Sequence, residues 1–143
     1  MSAFLIITVE PIHSLTTPRL FPKIDRQYLS TELRKLWPNI EISFENDKTE
    51  QVRWLLDIQE QNGWRTLLDG EIFFSHDADC VTIDAHSSAS YVAKFIHWYR
   101  SIIPQSYLLS IGNDFGGPED TFDVISNMSE TEIHNKVRDW VYD

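Results

Sequence analysis

From Val52 to Leu68 the chain carries its most restrictive pattern: an alternating run, an Asn62-Gly63 pair, then a returning run. Val52, Trp54, Leu56 and Ile58 alternate with Arg53, Leu55, Asp57 and Gln59, which is the period of a strand with one covered face. Asn and Gly are the residues that best adopt the left-handed conformations of a tight two-residue turn, so the pattern predicts a β-hairpin. The returning strand, Trp64 to Leu68, meets a second turn-like pair at Asp69-Gly70 before Glu71 to Ser75. That pair fits either another hairpin or a bulge within one bent strand.

The flanking sequence supplies what a half-apolar hairpin needs, namely more strands and helices to cover them. Ala3 to Glu10 is apolar on both sides of its alternation, which predicts a central, doubly buried strand. Ile24, Tyr28, Leu29, Leu33, Leu36 and Trp37 form a helical stripe ended by Pro38. Ile40, Ile42 and Phe44 alternate with Glu41, Ser43 and Glu45, a strand that turns carboxylates to solvent. Cys80 to Ala85 reads as the next strand, with Cys80 as a small core residue. Beyond the potential cap Ser87-Ser88, a helix runs from Val92 to Ile103 and stops at Pro104. Strands at Tyr107 to Ile111 and Thr121 to Ile125 follow. The last helix opens with Ser129 and Glu132 as a capping box and Met128 and Ile133 as a hydrophobic staple. The expected fold is α+β in one domain, residues 1–143: a largely antiparallel sheet of about six to eight strands with three helices, in the order β-α-β-meander-α-β-β-α.

Composition narrows the function classes. The 143 residues are 42% hydrophobic and 13% aromatic, enough for a core without disulfides, and the single Cys80 has no partner for an internal bridge. The run Phe4-Leu5-Ile6-Ile7 has no basic segment before it and meets Glu10 and Pro11, which argues against a signal peptide or membrane span and favours a cytoplasmic location. A formal charge of −10, from 22 acidic and 12 basic residues, disfavours nucleic acid and anionic membranes and favours a basic protein partner.

Candidate chemistry is sparse. His76, Asp77, Asp79 and Cys80, followed by Asp84 and His86, are the densest set of metal-ligand types, but a turn and an alternating strand do not converge ligands on one point. Turn formation accounts for them, and no cofactor is expected. The loop from Gly112 to Asp120 lacks the Lys and Ser/Thr of a phosphate cradle and the register of a calcium loop. It reads first as an exposed acidic turn; in a functional version its residues Asp114, Phe115, Glu119 and Asp120 would form a contact loop for a basic surface, an apolar anchor among charges. On the second helix, Tyr91, Lys94, Trp98 and Ser101 form a further stripe, an interface anchor if open and wide helix burial if covered.

The segment Lys94-Phe95-Ile96-His97-Trp98-Tyr99-Arg100-Ser101-Ile102-Ile103-Pro104, with the strand, Asp/Gly-rich turn, strand and capped helix after it, resembles small bacterial proteins, including immunity proteins of polymorphic toxin systems. The resemblance covers the C-terminal half and implies a role, neutralising a toxin, without transferring any residue's function. Three functions follow as expectations. The first is a non-enzymatic inhibitor that meets a basic toxin domain, such as a nuclease, through Glu41, Glu45, Asp114, Phe115, Glu119, Asp120, Tyr91 and Trp98. The second is an enzyme with a metal or acid/base site near the His76 turn. The third is an adaptor that self-associates through a sheet edge or the Tyr91–Trp98 stripe.

Overall fold

Strands with one apolar face need a covering layer, and in the computed structural model, which describes residues 4–11, 26–44, 51–73, 80–113 and 121–141, they find it in helices packed on one side of an antiparallel sheet. The elements are β1 (Phe4–Pro11), α1 (Arg26–Leu36), β2 (Glu41–Phe44), β3 (Gln51–Glu60), β4 (Gly63–Phe73), β5 (Cys80–Asp84), α2 (Ala89–Ile102), β6 (Tyr107–Asn113), β7 (Thr121–Val124) and α3 (Glu130–Val137), with a short 3₁₀ turn at Arg138–Trp140. The predicted α+β order is the observed one. The sheet runs β2-β3-β4-β5-β1-β6-β7, and every neighbouring pair is antiparallel.

β1 takes the interior position between β5 and β6, as its apolar run predicts, but only one of its faces is fully buried. Leu5, Ile7 and Val9 enter the core, whereas Phe4, Ile6 and Thr8 are partly exposed, because the described helices cover one side of the sheet. Cys80 is also corrected: it is partly exposed and pairs with Thr8 and Phe73 on the uncovered side, outside the core.

The hairpin is present, with a different turn. Glu60 pairs with Gly63, so the loop is Gln61-Asn62, and neither residue has positive φ. The left-handed residue is Gly63 alone, at φ +123°, which absorbs the twist that an Asn-Gly pair would otherwise share.

Asp69-Gly70 is not a turn, since β4 runs through it. Gly70 pairs with Trp54 on one side and Ile83 on the other. A Cβ built at Gly70 lies 2.8 Å from the Trp54 indole Nε1, so the strand needs glycine for this close approach. Phe95 of α2 stacks on the same indole, with centroids 5.0 Å apart. Trp54 therefore occupies a slot between a bare strand position and a helix, and is 1% exposed.

The bulge lies earlier, at Leu67. Leu56 pairs with Leu68 while Asp57 pairs with Thr66, leaving Leu67 as the extra residue. Leu67 and Leu68 are both buried, which breaks the alternation and reverses the faces of everything before them in β4. A bulge frees backbone groups that must be satisfied. Here the entry to α2 does so: Ser88 N–H donates to the Leu67 carbonyl at 2.9 Å, and Asp69 N–H donates to Ser87 Oγ at 3.0 Å. Ser88 stands at the N-cap of α2 without a side-chain capping bond; its carbonyl accepts from Tyr91 and Val92 N–H to start the helix while its own N–H serves the bulge.

At the other end of α2, the Arg100 side chain is buried, with its guanidinium donating to the carbonyls of Tyr107, Val124, Ile103 and Pro104. It fastens the helix C-terminus to β6 and β7, and burial lowers its pKa. α3 begins as predicted: Ser129 Oγ accepts from Glu132 N–H at 3.1 Å, the Glu132 carboxylate accepts from Ser129 N–H, and Met128 and Ile133 are buried as the staple.

Candidate recognition face

The register assembles side chains that point away from the helices into rows across the sheet. One row reads Ser43, Arg53, Glu71, Thr82, Ile6, Gly112 and Thr121. A second reads Gln51, Phe73, Cys80, Thr8, Ser110 and Asp123. On the other side of the first row, Glu41 pairs with Leu55 and Leu55 with Asp69, while Asp84 pairs with Phe4. Asp69 and Asp84 flank the Gly70–Ile83 pair and stand side by side on β4 and β5. With Asp57 beyond Leu55, this face carries the carboxylates of Glu41, Asp57, Asp69, Glu71, Asp84 and Asp123. Among the described residues of these rows, Arg53 is the only cation to meet them.

Neighbouring groups partly hold this charge. Arg53 Nη2 lies 3.6 Å from Asp69 Oδ2, Gln51 Nε2 donates to Glu71 at 2.7 Å, and Ser110 Oγ donates to Asp123 at 2.8 Å. The backbone N–H of His86 donates to Asp84 Oδ1 at 2.8 Å, and His86 Nδ1 lies 2.9 Å from the same oxygen. Asp69 has its pKa raised above the usual aspartate value, first by burial and then by the neighbouring charges of Asp84 and Asp57, against the lowering effect of Arg53. A cleft of about 230 Å³ opens here, lined by Phe4, Arg53, Asp69, Gly70, Glu71, Thr82 and Asp84. An incoming cation would relieve the carboxylate repulsion in this cleft, which suits it to binding positively charged groups.

The predicted contact residues separate. Glu41 is exposed at the start of β2, on the carboxylate face. Tyr91 and Trp98 are on the helix side and partly buried. Tyr91 stacks on Trp37 with centroids 6.1 Å apart, Lys94 Nζ lies 5.5 Å above the Trp37 ring, and Trp98 packs on Phe95 and Tyr99. Glu41 and the Tyr91–Trp98 stripe are therefore not brought together. Glu45, Asp114, Phe115, Glu119, Asp120, His76, Asp77 and Asp79 lie outside the described residues. His86 is exposed and pairs with Asp84, and no group of three metal-ligating side chains occurs among the described residues.

Sequence reading did not single out Asp69, Glu71, Asp84 and Asp123 as one surface, because they come from three strands brought together by register. It also missed Trp64, 71% exposed just after the hairpin turn. Its signal was the adjacent pair Leu67-Leu68, where the alternation slips by one residue. A scan of protein-family models found no match to the chain, and neither did searches of curated proteins and of solved structures. No helix among the described residues is long and apolar enough to cross a membrane.

Proposed function

We propose that this protein is a non-enzymatic binding protein whose uncovered sheet face receives a basic protein partner, and that it neutralises a bacterial toxin domain in the cytoplasm. The supporting observation is the concentration of Glu41, Asp57, Asp69, Glu71, Asp84 and Asp123 on one face with Arg53 as the cation among them. A field of one sign over a sheet steers an oppositely charged partner and accelerates encounter, which an inhibitor of a damaging enzyme needs. The resemblance of the C-terminal half to immunity proteins points the same way.

The test is co-expression with the product of the adjacent gene, followed by binding measurements at low and high salt. Protection of the host and a complex whose association rate falls steeply with salt are expected. Glu71→Gln combined with Asp123→Asn should slow association about tenfold at low salt and much less at high salt. Failure to protect, or association indifferent to both salt and these substitutions, would remove the reading.

A further inference from the structure

A second cleft of about 230 Å³ opens where the hairpin leaves the sheet, lined by Asn39, Glu41, Leu55, Asp57 and Trp64. Its walls come from α1's exit, β2, β3 and β4, and the Leu67 bulge is what completes it. Trp64 is four residues before Leu68, so an unbroken strand would turn both to the same side. With Leu67 inserted, Leu68 stays in the core and Trp64 swings to the carboxylate face, opposite Gln59 and diagonal to Asp57. The serine pair at the entry to α2 holds that bulge, so the tryptophan is presented by a braced backbone.

The polar groups in the cleft are incompletely matched. Asp57 Oδ1 is shut off from solvent and has no hydrogen-bond partner, so the carboxylate of this half-buried residue is partly desolvated. Such a half-desolvated charge gains more from an arriving cation than a fully hydrated one does. Glu41 adds a second negative charge, Asn39 an amide, Leu55 an apolar floor, and Trp64 an aromatic surface at the mouth. Carboxylates beside an open indole form a setting for a guanidinium, which stacks flat on the ring and offers forked N–H donors to the acids. The compact lysine ammonium lacks both the plane and the fork.

We propose that this cleft is the socket for a single arginine side chain of the partner protein, and that Trp64 is the anchor of the interface. The proposal rests on the basic-partner reading above and gives it a specific point of attachment. Stacking is supplied by Trp64, the charge-assisted hydrogen bonds by Asp57 and Glu41, and the remainder of the carboxylate face steers the approach.

The probe is the capped tripeptide acetyl-Gly-Arg-Gly-amide, titrated into ¹⁵N-labelled protein while the Trp64 indole N–H resonance, assigned by its loss in Trp64→Phe, is followed. A saturable shift with the arginine peptide is expected. The lysine analogue should bind more weakly, and the citrulline analogue, which keeps the shape without the charge, should produce almost none. Asp57→Asn should weaken the arginine peptide about tenfold, the equivalent of one charge-assisted hydrogen bond. Trp64→Ala, a change at an exposed side chain, should weaken it comparably, followed through the Asn39 side-chain amide. Absence of a saturable shift, equal shifts with citrulline, or unchanged affinity in both variants would overturn the assignment. Because the peptide test uses no partner, its failure beside an intact salt-sensitive complex removes only the socket, while arginine binding without any complex removes only the partner reading.

Discussion

Gly70→Ala tests the packing that fixes the recognition face, because Gly70 separates Asp69 from Glu71 and lies under Trp54. The new Cβ would come within 2.8 Å of the indole Nε1 and 2.9 Å of Cε2 and Cζ2. Carbon contacts are comfortable at about 3.5–4.0 Å, so the ring would have to retreat by about 0.6–1 Å. Phe95 stacks on that ring and is itself fully buried, so there is little space for the retreat. Overpacking of this kind costs about 1–3 kcal/mol, against a backbone gain of about 0.5–1 kcal/mol from replacing glycine with alanine. The difference spans about 0–2.5 kcal/mol, and because Phe95 closes off the retreat a net loss of about 1–2 kcal/mol is expected from urea unfolding followed by far-ultraviolet circular dichroism. In a Trp54→Leu background the obstruction is absent, and Gly70→Ala should be neutral or stabilising there despite the larger cost of losing the tryptophan. Equal effects in the two backgrounds, or a Gly70→Ala protein as stable as the parent, would show that the indole does not depend on the bare strand position.

Ser87→Ala removes the acceptor for Asp69 N–H at the bulge and should cost about 0.5–1.5 kcal/mol, the net worth of one part-buried hydrogen bond, with faster amide exchange at Asp69 as its local signature. Unchanged exchange there would show that the serine does not brace the bulge. Asp69 gives a pH dependence: its folded pKa is raised above the unfolded value, so its favourable contribution is complete below the unfolded pKa and is lost as pH rises through the folded one. Asp69→Asn should therefore be more stable than the parent at neutral pH, and that advantage should shrink as pH falls to about 4. An advantage that grows on acidification, measured in parallel thermal melts, would reverse the sign of this reasoning.

Periodicity in the sequence determined the element types and their order. Burial of a single face forces strands to alternate and helices to show a stripe, so β3, α1, α2 and the capped start of α3 were all legible. Local chemistry was legible as far as it was local: the Ser129–Glu132 box needs only residues three apart, and Glu41 could be placed on an outward face from its own strand. The tertiary structure decided which outward residues meet. Glu71 and Asp84 become neighbours only through the register of β4 with β5, and Asp123 shares their face only because β1 and β6 lie between. It also decided that Asp69-Gly70 runs straight while the chain bulges at Leu67, since that choice depends on a tryptophan across the ladder and two serines at the entry to a later helix. Trp64 is the clearest instance: alternation alone directs it inward, and one extra residue, satisfied by Ser87 and Ser88, turns it to the carboxylate face.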